Sequence, residues 1–381
     1  MNCAGSPSWM PTTKPAVVRG PKMPNYLLLA ATAENVLQDV STLHPVSPPA
    51  DSIRYLFYFV TAVGAGILAV VWGVLLYSLV KFRRKRSIGW RGGDEQQPAY
   101  PGVVTAEPPQ VYGSMPIEIA WTVAPGIIVL MLSLVIVRTE LEVRIKQPSP
   151  LQGSNALTAT VIGHQWWWEY IIEQNGGQNV NPVVTANELH VPVSGEGTEG
   201  APTRPVYLTL KSADVCHSFW VPRLAGKTDL IPGRVNQMWF QTTQPGLYVG
   251  QCAEYCGAQH ANMLLRVYID TPENFAAWLA NEQKPAVSDP AVRAGQQVFL
   301  AQSCVNCHTI RGTTAKGKFG PDLTHLASRA TFAGGMLGLN QENLEKWIID
   351  PQKMKPECLM PAFGLSVRNV GLITDYLMTL K

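Results

Sequence analysis

The sequence predicts a multi-domain membrane protein: a two-helix transmembrane hairpin, an antiparallel β-sandwich or barrel, and then an all-α domain. Three observations carry this prediction. Two long apolar runs lie in the first 140 residues, short β-rich segments separated by Gly, Pro and Asn turns follow, and helical stretches flank a cysteine motif near the end. At 381 residues the chain also exceeds the usual size of one domain.

We place the domain boundaries from these changes in pattern. Residues 1–50 are an outer N-terminal or signal segment, and residues 51–140 are the hairpin with its cytoplasmic loop. Residues 141–283 form the β domain, and residues 284–381 form the helical domain.

Composition favours a membrane protein and gives no indication of a nucleic-acid partner. Hydrophobic residues make up 46% of the chain and charged residues 15%, a charge-poor balance that indicates membrane spans. The formal net charge is +3, and the positive charge is dense in one short run. A nucleic-acid-binding surface is therefore not indicated.

Two apolar runs predict the membrane-spanning helices. Tyr55–Val80 contains 26 residues without a charge, enough to cross a hydrocarbon core of about 30 Å. The basic run Lys81–Arg86 follows directly and places the next loop in the cytoplasm. Ile117–Val137 is the second span, which returns the chain to the outside. Upstream, residues 26–33 resemble a shortened signal-peptide core, and the sequence leaves its cleavage open.

The β domain is predicted from short segments that are rich in β-forming residues. Their length and their separation by turn residues are typical of an antiparallel sandwich or barrel. The main segments are Ala156–Ile162, Glu188–Val193, Val206–Lys211, Gln237–Thr242 and Leu264–Asp270.

The loop Cys252–Met263, CAEYCGAQHANM, carries a metal motif. Two cysteines, a histidine and a methionine follow the spacing C-x3-C-x3-H-x2-M. Thiolate, imidazole and thioether are donors that copper prefers, whereas methionine is an unusual zinc ligand. His217, on an earlier predicted strand, gives the set enough ligands for two copper ions. The alternative is a disulfide between Cys252 and Cys256.

Residues 304–308, CVNCH, form the C-x-x-C-H motif for covalent attachment of a c-type haem. The two thiols bond to the haem vinyl groups and the adjacent histidine reaches the iron. A thioredoxin-like C-x-x-C pair is the rival interpretation, but it does not require the histidine. Predicted helices at Ala291–Gln302 and Asn369–Leu380 precede and follow the motif.

The copper loop, the His217 strand and the haem motif together resemble subunit II of bacterial haem–copper cytochrome c oxidases with a fused class I cytochrome c (caa-type). The resemblance covers nearly the whole chain from about residue 50 onward. It implies a cupredoxin-like antiparallel β-barrel followed by an all-α class I cytochrome c domain. It also implies a dinuclear copper (CuA) centre, in which the sulfurs of Cys252 and Cys256 bridge both ions.

The resemblance assigns further metal contacts. One copper takes His217 and Met263, and the other takes His260 and the backbone carbonyl of Glu254. The Glu254 carboxylate matches a family ligand to a magnesium ion shared with subunit I. Nearby, Asp214 lies toward that subunit and Arg234 faces its haem propionates.

The haem c ligands follow from the same resemblance. Cys304 and Cys307 attach the haem, and His308 binds the iron with its ring supported by the carbonyl of Pro321. Met360, which precedes a proline, is the sixth ligand. Met354 and Met336 are the alternatives.

Two more residues gain roles from the resemblance. Glu118, near the start of the second span, matches a glutamate at the mouth of the proton channel into subunit I; the alternative is a carboxylate at the membrane interface. Trp166 matches the surface tryptophan over the copper where electrons arrive from cytochrome c. Cys216, beside His217 on a predicted strand, is expected to be a small buried residue.

The function implied is electron transfer from cytochrome c or the fused haem c through CuA to the haem–copper centre of subunit I, which reduces oxygen to water and pumps protons. Subunits I and III are the expected partners, with cytochrome c or a quinol-oxidising complex as donor. The chain is expected in the bacterial inner membrane with both redox domains on the periplasmic side. The alternative is the CuA subunit of a nitric oxide reductase-like complex.

Overall fold

The computed structural model describes residues 41–83, 112–144, 156–173, 182–194, 205–287 and 289–381. Two long helices, a β-sandwich and a helical domain follow one another along the chain. This order confirms the predicted fold class. The predicted signal-peptide core and most of the basic run lie outside the described residues.

The two long helices are α1 (Pro48–Lys81) and α2 (Met115–Arg144). Prolines 48 and 49 begin α1, where their missing N–H groups cost no helical hydrogen bond. Within the described residues, both helices are long and apolar enough to cross a membrane, and their most apolar stretches are exposed. At 1.5 Å per residue, α1 is about 50 Å long, so it extends beyond a hydrocarbon core.

Both outer ends of this hairpin contact the β domain. Before α1, the Ser47 hydroxyl accepts a hydrogen bond from the backbone N–H of Gln241 at 3.2 Å. At the end of α2, the Trp239 indole N–H donates to the carbonyl of Val143 at 2.8 Å. The β domain therefore lies at the end of the hairpin that is opposite to its connecting loop.

Within the described residues of the β domain, ten strands form two five-stranded sheets, in the orders β3-β2-β1-β5-β8 and β4-β10-β9-β6-β7. The strands are β1 (Leu157–His164), β2 (Trp167–Glu173), β3 (Val183–Ala186), β4 (Glu188–Pro192), β5 (Val206–Ser212), β6 (His217–Trp220), β7 (Thr228–Leu230), β8 (Asn236–Phe240), β9 (Gly246–Cys252) and β10 (Leu264–Asp270).

Each sheet contains one parallel pair, β1 with β5 and β4 with β10, and the other pairs are antiparallel. The arrangement therefore departs from a purely antiparallel one. Parallel neighbours need a long connection between them, and here the intervening chain passes through other strands. Sequence alternation predicts the strands but does not reveal which strands become neighbours.

The sandwich core consists of the inward faces of these strands. In β1 burial alternates strictly along the strand, and Leu157, Ala159 and Val161 point inward. Cys252, Cys256 and Met263 belong to the same buried cluster as these apolar side chains. The predicted copper ligands thus lie at the edge of the core and not in a solvated loop.

The C-terminal domain is helical. After α3 (Pro272–Glu282), which packs on the sandwich, come α4 (Arg293–Ala301), α5 (Cys304–Cys307), α6 (Gln341–Ile349), α7 (Pro351–Met354) and α8 (Val367–Leu377), with a short ribbon of β11 (Thr331–Phe332) and β12 (Leu337–Gly338). Polar side chains cap several helices; the Asn340 side chain, for example, accepts from the backbone N–H of Asn343 at 2.8 Å.

Gly295→Ala is expected to destabilise the helical domain. Gly295 lies where α4 crosses α8, and a Cβ there would overlap the backbone carbonyl of Leu372 and contact Tyr376. Overpacking of this kind typically costs about 1–3 kcal/mol of unfolding free energy. Denaturant unfolding followed by circular dichroism measures the change.

Gly371→Ala is the matched control for this prediction. It lies within α8, and an added Cβ there meets open space. Its unfolding free energy should stay the same or rise by up to about 1 kcal/mol, because alanine favours a helix over glycine. Equal stability of Gly295→Ala and the wild type would contradict the close helix crossing.

Candidate copper and haem centres

The candidate copper site forms where three strands meet. Strand β9 ends at Cys252 and pairs with β6 on one side and β10 on the other. In this register, Cys252 lies opposite Phe219, and its backbone N–H donates to the carbonyl of Met263 at 3.0 Å. The pairing brings His217, at the start of β6, to the loop that joins β9 and β10.

The two cysteine sulfurs lie at the centre of the site. Cys252 Sγ and Cys256 Sγ are 3.8 Å apart, well beyond the roughly 2.05 Å of a disulfide bond. His217 Nδ1 lies 3.9 Å from Cys252 Sγ, and His260 Nδ1 lies 3.6 Å from Cys256 Sγ. The arrangement therefore differs from the alternative of a Cys252–Cys256 disulfide.

The remaining two predicted ligands complete the cluster. Met263 Sδ lies 3.9 Å from Cys256 Sγ, and the backbone carbonyl of Glu254 lies 3.2 Å from Cys252 Sγ. Each of the four other predicted donors thus lies within 4 Å of one of the two cysteine sulfurs. His217, Cys252 and Cys256 form the tightest group, with their ligand atoms all within 4.8 Å of one another. This soft donor set fits copper.

Asp214 orients the His217 ring. Its carboxylate accepts a hydrogen bond from His217 Nε2 at 2.8 Å, which leaves Nδ1 facing Cys252. Although burial opposes its charge, hydrogen bonds from His217, Val215 and Gln165 lower the pKa of Asp214. Burial likewise opposes a charged His217, yet its hydrogen bonds with Asp214 and Cys252 raise its pKa. Asp214 therefore supports His217 as a candidate copper ligand.

The two thiols shift each other's pKa in opposite directions. The hydrogen bond with Cys256 lowers the pKa of Cys252, and the same contact raises the pKa of Cys256. One thiol of the pair therefore ionises readily, and the negative charge it carries opposes ionisation of the other. A cation bound between the two sulfurs would stabilise both as thiolates.

The candidate haem site is a cleft in the helical domain. Cys304, Cys307 and His308 line it together with Met360. Neither of the alternative methionines, Met354 and Met336, is among the lining residues. Most of the remaining wall is apolar, including Phe299, Leu323, Leu326, Phe332, Leu344, Trp347, Ile348, Leu365 and Ile373. Such a lining fits a haem, whose faces are apolar.

His308 is positioned by its neighbours. Its Nδ1 donates to the carbonyl of Pro321 at 2.8 Å, so that Nε2 is left as the ligand atom. Burial lowers the pKa of His308 and thereby favours the neutral ring that can bind iron. A Cβ on Gly320 would lie 2.7 Å from Cε1 of this ring. Glycine at position 320 thus allows the ring to pack against the backbone.

Trp166 joins the two sites. Its indole N–H donates to the carbonyl of Cys256 at 3.0 Å, and the Gln165 side chain donates to the same oxygen at 2.8 Å. Trp166, Trp167 and Gln165 also line the haem cleft. One aromatic side chain therefore touches the backbone of a candidate copper ligand and lines the candidate haem cleft.

Trp166 is buried, with 6% of its surface exposed. The prediction that it lies on the surface was therefore wrong for this chain. The physical reason is that the helical domain docks over it; its residues Ala333, Gly334 and Lys355 line the same cleft.

Other predicted residues occupy less central positions. Cys216 is exposed, contrary to prediction, because β6 begins one residue later at His217. The side chains of Glu254 and Arg234 are exposed.

Glu118 lies in the first turn of α2, where its carboxylate accepts a hydrogen bond from the backbone N–H of Ser114 at 3.2 Å. Cys358 lines the haem cleft, and the Gln352 side chain donates to its sulfur at 3.3 Å.

The sequence placed Asp214 only toward subunit I, without its contact to His217, and assigned no role to Lys355 or Glu188. The acid three residues before His217 was a usable signal for Asp214. Lys355 and Glu188, which connect the two domains, gave no such signal, because their contacts are distant in sequence.

The family model "Cytochrome C oxidase subunit II, periplasmic domain" matches residues 198–269, and the model "Cytochrome c" matches residues 292–381. Cytochrome c oxidase subunit 2 of Alkalihalophilus pseudofirmus is 32% identical over 349 residues, covering 90% of this chain and 92% of that protein.

The chain is also similar to a second curated relative and to a solved structure. Cytochrome c oxidase subunit 2 of Bacillus sp. is 32% identical over 371 residues, with coverage of 93% and 94%. Among solved structures, the periplasmic domain of cytochrome oxidase subunit II from Bradyrhizobium japonicum is 28% identical, covers 35% of this chain and 97% of that chain, and has a TM-score of 0.29.

Gly320→Ala is expected to impair haem binding. The added Cβ would collide with the His308 ring and displace it from the Pro321 carbonyl. We expect the fraction of protein that carries low-spin haem to fall severalfold, as measured by haem content and optical spectrum. Gly338→Ala, in the same domain with open space around the new Cβ, is the control. Wild-type haem content and spectrum in Gly320→Ala would show that the ring tolerates the Cβ.

Proposed function

The chain belongs to the family of cytochrome c oxidase subunit II, and we propose that it is the electron-accepting subunit of a proton-pumping haem–copper oxidase. Electrons reach the helical domain, pass to the copper domain and leave toward subunit I. Reduction of oxygen to water takes place in that partner. In this scheme the chain's own task is to hold two redox groups in a productive arrangement.

The position of Trp166 between the two candidate sites supports this proposal most directly. It donates a hydrogen bond to the carbonyl of Cys256 and lines the cleft that contains His308 and Met360. When bound, haem c and the dinuclear copper each accept and release single electrons. The shared wall makes the two sites neighbours within one chain.

The donor sets assign which residues would hold each group. Haem c would be attached by Cys304 and Cys307, with His308 and Met360 on the iron. The copper ions would be held by His217, Cys252, the carbonyl of Glu254, Cys256, His260 and Met263. These assignments rest on the convergence of the donors and on the chemistry that each donor type favours.

Four of the six residues that carry the copper donors are buried from water. Cys252, Cys256, Met263 and His217 are each at most 3% exposed. Backbone hydrogen bonds from Cys252 to Met263 and from Ala253 to Ser218 fix the ends of the ligand loop. A fixed loop that excludes water reduces the rearrangement that a change of charge requires.

The exposed side chains of Glu254 and Arg234 support a partner subunit beside the copper domain. Because both outer helix ends reach the β domain, the redox domains lie on the side opposite to the hairpin loop, which we assign to the periplasm of a bacterial inner membrane. The side chain of Glu254 is free to reach a magnesium ion shared with subunit I, and Arg234 is free to reach haem propionates there. Subunit III and a cytochrome c or quinol-oxidising donor complete the proposed assembly.

A nitric oxide reductase-like complex remains the alternative from the sequence, since it uses the same copper donors. The similar proteins named above are cytochrome c oxidase subunits. We therefore favour the oxidase.

The proposal is tested with two reciprocal variants of the full chain, purified in detergent after haem maturation and copper loading. Cys256→Ser should abolish the paramagnetic resonance signal of two coppers sharing one unpaired electron, while haem c stays attached. Met360→Leu should change the haem spectrum and spare the copper signal. Each variant is the control for the other, because each removes a ligand from one site alone.

Metal analysis of the wild type is the measurement that could contradict the proposal. Zinc, or a single copper, in the β domain would exclude a CuA centre. Both signals unchanged in both variants would contradict the ligand assignments.

Glu118 offers a separate test of the coupling to protons. Glu118→Gln keeps the oxygen that accepts from Ser114 but removes the charge. If Glu118 lies at a proton channel, oxygen reduction by the assembled oxidase should fall at least tenfold, with haem and copper reduction unchanged. Glu140→Gln, at the other end of α2 and paired with Arg144, should be neutral. Normal turnover and pumping in Glu118→Gln would show that Glu118 acts only as a helix cap.

A further inference from the structure

Lys355 is a buried cation at the contact between the two redox domains. It is 2% exposed, and its ammonium donates to the carbonyl of Trp166 at 2.9 Å, of Asn262 at 2.8 Å and of Ala333 at 2.8 Å. Burial lowers the pKa of Lys355 to about 8, so the side chain is still mostly protonated at pH 7. An ammonium has three donors, and backbone carbonyls accept from all three.

The three carbonyls belong to functionally separate parts of the chain. Asn262 directly precedes the copper ligand Met263, and Trp166 stands between the two sites. Ala333 belongs to the helical domain, and Lys355 itself precedes Met360 by five residues. A single side chain thus connects the copper-ligand loop, the tryptophan and the haem domain.

The backbone around this contact is shaped to admit the ammonium. Gly334 has a φ of +78°, and a Cβ there would lie 2.6 Å from Lys355 Nζ and 2.7 Å from the carbonyl of Trp166. The carbonyl of Gly334 in turn accepts from the backbone N–H of Leu264, at the start of β10, at 2.9 Å. The haem domain therefore approaches the copper-ligand loop backbone to backbone.

A second buried charge makes the reciprocal contact. Glu188 of the copper domain is 3% exposed, and its carboxylate accepts from the backbone N–H groups of Ala330 at 3.1 Å and Thr331 at 2.8 Å, and from the Thr331 hydroxyl at 2.6 Å. Glu188 thus receives these hydrogen bonds from the helical domain, and Lys355 is bound by two carbonyls of the copper domain and one of its own domain. Because a buried charge is costly without partners, these contacts favour a single docked arrangement over a loose tether.

We propose that Lys355 is a positioning residue for electron transfer: by binding the carbonyls of Trp166, Asn262 and Ala333, it holds the haem domain in one fixed position on the copper domain. This inference rests on the proposed function. The step it serves is the transfer of one electron from reduced haem to the oxidised copper pair, in which no bond forms or breaks. With the domains fixed, this step need not wait for them to meet.

The test compares Lys355→Met with Lys353→Met in the full chain. Methionine has a similar length but leaves three buried carbonyls without a donor. Lys353 is exposed and two residues away in the same segment, so its substitution removes the same charge without touching the contact.

Two readouts are measured. In copper-free protein, amide hydrogen exchange at Leu264 and Thr331 reports the docked interface and does not depend on activity. In loaded protein, rapid reduction of the haem followed by optical detection gives the rate of electron transfer to copper, at several glycerol concentrations. A domain that must find its position again makes that rate depend on solvent viscosity.

Lys355→Met is expected to raise exchange at both amides at least tenfold, to slow electron transfer at least tenfold and to make it viscosity-dependent, with normal haem and copper content. Lys353→Met is expected to match the wild type. Exchange and transfer rates in Lys355→Met within twofold of the wild type, with no dependence on viscosity, would overturn the proposal.

If Lys355→Met fails to fold or to bind either group, Gly334→Ala provides the second variant, because its Cβ would displace the ammonium. Wild-type exchange and transfer in a loaded Gly334→Ala protein would also overturn the inference. A wild-type chain that lacks either redox group, or transfers no electron between them, contradicts the proposed function instead. The exchange measurement still decides whether Lys355 fixes the docking.

Discussion

The pairing of β9 with β6 on one side and β10 on the other is the constraint on which the copper site depends. Because β9 ends at Cys252, His217 arrives from one neighbour and Met263 from the other. The intervening loop then has to fold over the end of the sandwich, where its thiols join the apolar core. Strand register therefore assembles the donors, and hydrogen bonds such as that of Asp214 with His217 aim them.

The contact between the redox domains follows a different physical rule. Lys355 and Glu188 are charged, and each lies buried where it forms hydrogen bonds to groups of the other domain, with Lys355 also binding the Ala333 carbonyl of its own domain. A buried charge is tolerated in few positions, because each donor or acceptor must be met with good geometry. Such contacts specify one arrangement. They also explain why Trp166 is internal here.

The transmembrane hairpin is attached to the β domain at both of its outer ends. Hydrogen bonds between Ser47 and Gln241 and between Trp239 and Val143 tie both outer helix ends to the β domain. The apolar flanks of α1 and α2 stay exposed along their length, as expected for surfaces that meet lipid or other membrane helices. The copper domain is thereby held close to the outer ends of both spans.

The sequence by itself determined the features that depend on local spacing. Uncharged length predicts α1, and the donor types between Cys252 and Met263 predict copper, because both signals lie within one short segment. Tertiary structure alone decided which strands run parallel, that Trp166 is covered, and that Lys355 joins two domains. Trp166 and Lys355 are 189 residues apart, and their contact exists only because the domains dock. Contacts of this kind leave no periodicity or motif in the chain.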